Sequence, residues 1–241
     1  MDLGMEFEKI VGTGGIGIGM LFHSDKMETL GRSESRSVTL SNAKDYCKQQ
    51  IVFYYLSTFT NGTAQVFPIG FVGNDVQGRN IIAEMEREGM DVSYVGICPD
   101  EATMISICLQ YPDKEGCNFT AVNNATIHVT AEYVQLCMEK IGIDKKTIVA
   151  AIPEVSIESR VAMLRLGKEK GGFNVLSVPV AEANEFLRLN IFTGCDLLAV
   201  NEEEGQAILG RNLKEKQRIF VPSVRRLMVS STWLGCTGFT R

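Results

Sequence analysis

Residues 66–97 carry the pattern that most constrains the fold, because they read as a strand, a helix and a second strand in immediate succession. The apolar run 66–72 predicts a buried strand. Asp75 predicts the N-cap of the following helix, and Gly89 predicts its left-handed end. A β-branched run over residues 92–97 predicts the second strand. The stretch is therefore predicted to form one α/β layer, in which Asp75 caps a helix and shapes a turn rather than acting as a catalytic acid.

Length and composition are those of an ordinary globular protein. The chain has 241 residues, of which 45% are hydrophobic and 22% are charged, and it can bury the core of one α/β domain. No apolar run approaches the ~18 to 20 residues that a membrane span requires, and the acidic start does not resemble a signal peptide. A net charge of −5 gives no reason to expect nucleic acid. We expect a cytoplasmic protein with neither a membrane nor a nucleic-acid partner.

The seven cysteines are scattered along the chain, and none of them forms a C-x-x-C pair. Only two histidines, His23 and His128, could join them as metal ligands. This supply of ligands disfavours a zinc site and predicts reduced thiols in the core or at the surface.

Residues 211–241 differ in charge from the rest of the chain. They hold seven of the 24 Lys and Arg residues but only one of the 29 acids, Glu215, so they carry +6 while residues 1–210 carry −11. A shift of this size marks a boundary. We therefore predict one α/β domain over residues 1–210 and an atypical basic tail over residues 211–241, in which no continuous helix or strand pattern is visible.

A glycine-rich turn follows the first predicted strand, at residues 7–11. Residues 12–17 match G-x-G-x-x-G, which in dinucleotide-binding proteins opens a helix whose N-terminus faces the pyrophosphate. Here Gly19 and then M-L-F-H-S-D follow, which is a poor start for a helix. An NAD-binding oxidoreductase is therefore the weaker alternative, although the glycines would let a ligand approach the backbone closely.

The amino-acid sequence of residues 70–95 indicates a protein family more specifically than its predicted strand–helix–strand structure does. G-F-V-G-N-D-x-x-G-R, followed about one helix later by E-G-M-D-V-S-Y-V, resembles the N-terminal half of the ribokinase or PfkB family of carbohydrate kinases. The resemblance implies a three-layer α/β fold with a mainly parallel sheet, truncated at the C-terminus, and a small β lid within about residues 20–40 and 103–122. It also implies ATP-dependent phosphorylation of a sugar or related alcohol with Mg²⁺. Lid sheets often pair with their copies in relatives, so a homodimer through the lid is expected.

The resemblance also supplies candidate contacts for this small-molecule substrate. Gly14 and Gly15 stand in the turn where the family normally has an Asp that grips sugar hydroxyls. Asn124 lies where the lid returns to the cleft. Glu154 follows a predicted strand, at the end where ligands lie in open α/β sheets. An acid that starts the next helix is an equally good explanation of Glu154.

The family's sugar-binding turn, G-G-x-x-x-N, is not recognisable in this chain. Gly31, in the polar run G-R-S-E-S-R at residues 31–36, is a candidate replacement as a polar substrate contact. A solvated hairpin is the alternative interpretation of that run. Ser41 or Asn42 is predicted to cap the next helix.

A second family-like stretch is C-D-L-L-A-V-N-E-E-E at residues 195–204. A predicted buried strand ends at Asn201, and the first turn of the helix predicted to follow contains three carboxylates. This resembles the family's N-x-x-E, with Asn201 and Glu204 at the matching positions, where the motif helps to order magnesium and phosphate. Magnesium prefers one or two carboxylates together with water and phosphate oxygens. Acids in a first helical turn also complement the helix dipole without any ligand.

The family's C-terminal G-A-G-D segment, whose glycines cradle phosphate and whose Asp accepts the hydroxyl proton, is not found in the sequence. No Asp follows Asp196, and residues 235–238, G-C-T-G, match only two glycines of that segment. The sequence therefore offers no catalytic base, and the ATP site is expected to be largely missing. We predict a carbohydrate kinase by family that is inactive alone. The alternatives are a non-catalytic sugar-binding pseudokinase or a truncated gene product.

Overall fold

The computed structural model describes residues 7–41, 45–210 and 226–230. Its strands are β1 Lys9–Thr13, β2 Gly17–His23, β3 Thr39–Leu40, β4 Asp45–Tyr46, β5 Gln65–Gly73, β6 Val95–Cys98, β7 Met104–Gln110, β8 Gly116–Thr120, β9 Thr147–Ala151, β10 Phe173–Leu176, β11 Leu197–Asn201 and β12 Arg226–Ser230. Its α-helices are α1 Lys48–Thr60, α2 Val76–Arg87, α3 Ala131–Ile141, α4 Ile157–Glu169, α5 Ala183–Arg188 and α6 Glu202–Leu209. None of these helices is long and apolar enough to cross a membrane.

The main sheet contains seven strands in the order β12-β11-β10-β9-β1-β5-β6. Every neighbouring pair is parallel. At the centre, Thr13 at the end of β1 pairs with Ile69 on one side and Ala151 on the other. The predicted parallel sheet is confirmed, and its parallel pairing brings the carboxyl ends of all these strands to one edge.

The sheet is covered by helices on both faces, because successive residues of a strand point in opposite directions. Ile10 packs in a cluster with Phe53 of α1 and residues of α2. Its neighbour Val11 packs on the other face with Met163 of α4 and residues of α3. A third cluster joins α5 and α6 around Phe186. The predicted three-layer α/β architecture is confirmed.

A second, smaller sheet lies in the order β3-β2-β7-β8, with β4 also paired to β2. We call these five strands the lid. The glycine-rich turn after β1 leads directly into β2, a strand, so the helix that a dinucleotide fingerprint requires is not there. The lid strands start at Gly17, a little before the predicted range, and residues 24–38 form no strand.

The opening strand–helix–strand unit forms as predicted, with one correction. Asp75 caps α2 by accepting a hydrogen bond from Gly78 N at 2.7 Å, and Gly89 adopts a left-handed φ of 81°. The second strand was predicted to start at residue 92. Instead Val92–Tyr94 form a 3-10 turn, because the carboxylate of Asp91 accepts from Ser93 N at 3.0 Å and draws the chain into a turn.

Two further predictions are corrected. Cys47 occupies the N-cap position of α1, without a side-chain cap hydrogen bond. Ser41 therefore does not cap the helix, and its N–H donates to Leu21 O in the lid; Asn42 lies outside the described residues. The tail was predicted to hold no strand, yet β12 pairs in parallel with β11 along its whole length. Three consecutive apolar residues, Leu227, Met228 and Val229, stand at the centre of β12, and its backbone pairs with the groups at the edge of β11. The rest of residues 211–241 lies outside the described residues.

Candidate functional site

The candidate site begins where β1 and β9 end side by side. Gly14 and Gly15 follow β1, and the N–H of Gly15 donates to Pro153 O at 3.0 Å. A Cβ atom on Gly15 would lie 2.5 Å from Glu154 Oε2 and closer still to Met104 Cε. Three of the predicted substrate contacts, Gly14, Gly15 and Glu154, are therefore neighbours at the carboxyl edge of the sheet. This turn has no room for side chains.

Glu154 is held in an unusual backbone conformation. Its φ is +77°, a value that disfavours residues with a Cβ by about 1–2 kcal/mol. Strain of this kind concentrates at functional sites, where the surrounding structure imposes it. The conformation turns the chain immediately after β9 and sets the half-buried carboxylate over Gly15.

Asn124 lies in the loop by which the lid returns to the main sheet. It is buried, its Nδ2 donates to Ala121 O at 2.5 Å, and its Oδ1 accepts from Thr126 N at 2.9 Å. Both ends of the side-chain amide are thus engaged within the loop. The structure gives Asn124 a turn-forming role, and a direct contact with substrate stays a prediction.

Gly31 lies on an exposed loop whose residues form hydrogen bonds with one another. Its N–H donates to Glu34 Oε2 at 3.0 Å, and the guanidinium of Arg36 donates to Glu34 Oε1. The bond from the Gly31 N–H, followed by those from Arg36, lowers the pKa of Glu34. The exposure of residues 31–35 agrees with the alternative interpretation of the run 31–36 as a solvent-exposed segment. A substrate contact through Gly31 stays a prediction.

Asn201 and Glu204 form a capping box at the start of α6. Asn201 Oδ1 accepts from Glu204 N at 2.8 Å, and Glu204 Oε2 accepts from Asn201 N at 2.8 Å. Glu204 is buried, and its second carboxylate oxygen accepts a longer bond, 3.4 Å, from Lys48 Nζ. Capping alone explains why this pair stands at the helix start. The contact between Lys48 and Glu204 shows that the start of α1 lies close to the end of β11.

Two residues that the sequence analysis missed complete the site. Gln49 and Gln50, in the first turn of α1, are 0% and 3% exposed. Gln49 Nε2 donates to Gly12 O at 3.2 Å and to Ile69 O at 3.4 Å. The Oε1 atoms of both glutamines are buried and have no hydrogen-bond partner among the described residues. A Cβ on Gly14 would lie 3.0 Å from Gln49 Cβ, so this first turn borders the glycine turn.

The arrangement is suited to binding hydroxyl groups. Buried acceptor oxygens without donors are costly, at about 1–3 kcal/mol each, unless a ligand or water satisfies them. The amide oxygens of Gln49 and Gln50 are such acceptors, and the carboxylate of Glu154 adds another acceptor group nearby. Within the described residues no three His, Cys, Asp or Glu side chains cluster to hold a metal. The acceptor oxygens at this edge of the sheet are suited to a molecule that carries hydrogen-bond donors.

Comparison with solved structures identifies the fold. The chain is similar to a ribokinase from Giardia lamblia (TM-score 0.72, 15% identity, covering 88% of this chain and 62% of that one). It is also similar to a Burkholderia thailandensis nucleoside kinase in complex with inosine (0.68, 14%, 92% and 69%). A third similar structure is an Arabidopsis thaliana ribokinase complexed with ribose and ATP (0.60, 15%, 88% and 65%). These likenesses define a ribokinase-like fold, and the chain spans about two thirds of the length of these proteins.

The family is shown by the sequence itself. The model of the pfkB family carbohydrate kinases matches residues 33–220, so the chain belongs to that family. Comparison with curated protein sequences returned no match.

Proposed function

We propose that this chain forms the acceptor-binding part of an ATP-dependent kinase that phosphorylates a hydroxyl of a sugar or related alcohol. The observation that carries the proposal is the buried amide oxygen of Gln49, which finds no donor among the described residues and belongs to a residue that borders the glycine turn. The amide oxygen of Gln50, the next residue of α1, is likewise buried without a donor in the described part of the chain. Sugars and nucleosides present hydroxyl donors of the kind that these oxygens would accept. Family membership supports the same chemistry, and similar structures hold inosine or ribose.

The proposed roles follow from where each group lies. Gln49, Gln50 and Glu154 would accept hydrogen bonds from acceptor hydroxyls. At Gly14 and Gly15 the space that a Cβ would fill is taken by protein side chains, among them Met104 and Glu154, so the two glycines would position Glu154 and a direct substrate contact with them stays a prediction. Phosphoryl transfer depends mainly on positioning and on neutralising charge, so fixing the acceptor hydroxyl is a large part of the task. Binding at the carboxyl ends of parallel strands is also the general rule for open α/β sheets.

ATP and Mg²⁺ are the expected co-substrate and ion. Glu204 fits a magnesium site in one respect, since it is a buried carboxylate whose Oε1 has only a 3.4 Å contact with Lys48. A hydrated magnesium ion bound to phosphates needs no more than one such carboxylate. Glu204 would then hold a magnesium-bound water, and Asn201 would keep the carboxylate in place through the capping box. The ion, when bound, would neutralise phosphate charge.

We further propose that this 241-residue polypeptide binds acceptor without turning it over, because its sequence contains neither a G-A-G-D segment nor an Asp after Asp196. A non-catalytic sugar-binding protein is the alternative function and would share the same site. Turnover of any acceptor by the polypeptide itself, measured as ADP release, would overturn the proposed inactivity and leave the kinase assignment intact. A cytoplasmic location stays a prediction.

A homodimer through the lid is proposed on the exposure of its outer face. Ile107 and Phe119 pair across β7 and β8 and are 37% and 66% exposed. Leu40, which pairs with Phe22 on the other side of the lid, is 54% exposed. Sedimentation of the wild type and of Phe119→Lys tests this: loss of a dimer in the variant supports it, and a monomeric wild type contradicts it.

The test of acceptor binding uses calorimetric titration with a panel of pentoses, hexoses and nucleosides. Gln50→Met keeps the size of the side chain but removes its acceptor oxygen, so affinity for the bound acceptor should fall about 10- to 100-fold. The matched control is Gln77→Met, because Gln77 is exposed on α2 and should leave affinity unchanged. The proposal fails if no member of the panel binds, or if both variants bind equally well.

A further inference from the structure

Asp75 joins two parts of the chain that are distant in sequence. Its Oδ1 accepts from Gly78 N at 2.7 Å and from Thr103 Oγ1 at 2.6 Å, while its Oδ2 accepts from Thr103 N at 2.8 Å. The hydroxyl of Thr103 in turn accepts from Gly73 N at 3.0 Å. A helix cap needs only the bond from Gly78. The other contacts bind the corner between β5 and α2 to the residue that precedes lid strand β7.

The two glycines of this corner make room for that segment. A Cβ on Gly73 would lie 2.5 Å from both Glu101 O and Thr103 N. A Cβ on Gly78 would lie 2.7 Å from Thr103 Oγ1. Thr103 is 2% exposed, so it is sealed into the corner. Gly73 and Gly78 thus leave the space in which residues 101–103 pack, and Asp75 supplies the hydrogen bonds that hold them there.

Fixing Thr103 also fixes the lid above the candidate site. The next residue, Met104, is buried and lies against both Gly15 and Gly17. Met104 is also the first residue of β7 to pair with β2, through Gly17. The first residues of the two central lid strands, Gly17 of β2 and Met104 of β7, are therefore positioned by Asp75 through Thr103. The same segment is also held by a bond from Ala125 N to Ala102 O, at 2.9 Å.

We propose that Asp75 is a positioning residue that holds the base of the lid over the glycine turn. Its carboxylate fixes the point at which lid strand β7 begins, and hence the position of Met104 against Gly15. The consequence for ligand binding rests on the function proposed above. The consequence for the lid itself does not.

Hydrogen exchange of the unliganded 241-residue chain, followed by mass spectrometry, tests the lid. In Asp75→Asn the side-chain oxygen still caps α2, but an N–H₂ group replaces Oδ2 and faces the Thr103 N–H, donor against donor. Exchange in peptides that cover β2 and β7 should accelerate about tenfold or more, while peptides from β9 keep the wild-type rate. Thr103→Val should act alike, and Thr103→Ser, which keeps the hydroxyl, should restore slow exchange.

The matched control is Asp144→Asn. Asp144 Oδ1 accepts from Thr147 Oγ1 and from Lys146 N, both at 2.9 Å, at the amino end of β9 and away from the lid. This variant should leave lid exchange unchanged. Equal acceleration in lid and β9 peptides of Asp75→Asn, or none in either, would overturn the proposal.

Ligand titration separates this proposal from the proposed function. If a panel member binds the wild type, Asp75→Asn should weaken it about tenfold or more, whereas Asp144→Asn should not. A loosened lid with unchanged affinity would overturn the positioning role in binding. If nothing binds the wild type but the lid still loosens, the proposed function fails while the lid anchor stands.

Discussion

Because the backbone of Glu154 is left-handed, we expect the substitution Glu154→Gly to maintain or raise the free energy of unfolding, whereas a change to glycine usually lowers it. A φ of +77° costs a residue with a Cβ about 1–2 kcal/mol, and glycine escapes that cost. Against this gain, glycine adds freedom to the unfolded chain, worth about 0.5–1 kcal/mol. The free energy of unfolding should therefore stay unchanged or rise by up to about 1.5 kcal/mol. Affinity for the acceptor should be lost, because the carboxylate is gone.

Glu158→Gly is the matched control, since it makes the same chemical change in the regular first turn of α4. There the glycine should cost about 1 kcal/mol of stability and leave acceptor binding intact. The two variants should thus differ by about 1–2.5 kcal/mol in urea unfolding, and each kcal/mol corresponds to about 2–4 °C in Tm. The reasoning is refuted if Glu154→Gly is destabilised as much as Glu158→Gly, or if it binds the acceptor normally.

Three other predictions concern stability and thiol chemistry. Arg160 is fully buried, pairs with Glu182 Oε2 at 2.5 Å and leaves Nη1 without a partner, so Arg160→Ala should cost about 3–5 kcal/mol. The double change Arg160→Met/Glu182→Gln should recover most of that loss, and equal losses in urea unfolding would contradict the account. Bonds from the Thr147 hydroxyl and the Lys146 N–H help to lower the pKa of Asp144, so its contribution is present above the unfolded pKa of about 3.9 and is lost as pH falls through the lower folded value. Wild type and Asp144→Asn should accordingly converge in stability below about pH 4, and a constant gap would refute this. Burial raises the pKa of Cys195 to about 12, so a thiol reagent at pH 8 should label the partly exposed Cys117 well before Cys195, as peptide mass spectrometry would report.

Much of the architecture could be predicted from sequence, because the relevant signals are local. The cap at Asp75 and the left-handed Gly89 each act within one helical turn, and both appear in the structure. The mainly parallel sheet was implied by the family resemblance of residues 70–95. Boundaries were less certain where a polar side chain redirected the backbone, as Asp91 does in the 3-10 turn before β6.

The candidate site was predicted less completely, because its geometry is not local. Gly14, Gly15 and Glu154 were identified and do lie together. Gln49 and Gln50 were missed, since two glutamines before an apolar helix look like an exposed helix start. Only the long-range contacts of Gln49 with Gly12 and Ile69 reveal that this turn is buried.

The lid anchor was missed for a similar reason. The sequence indicates that Asp75 caps a helix, and it does, but its bonds to Thr103 join residues 28 positions apart. A local cap explains why an Asp stands there. It does not explain why Gly73 and Gly78 flank it, which becomes clear only from the segment that docks between them.

The central claim is that the glycine turn and the first turn of α1 bind a polyhydroxylated acceptor. A crystal structure of the chain with the tightest-binding member of the panel tests it most directly. The account predicts ligand hydroxyls within hydrogen-bond distance, about 2.6–3.2 Å, of Gln49 Oε1 or Gln50 Oε1 and of the Glu154 carboxylate, at the edge of the sheet where the glycine turn lies. A ligand bound elsewhere on the chain, with these oxygens paired to the protein instead, would contradict it.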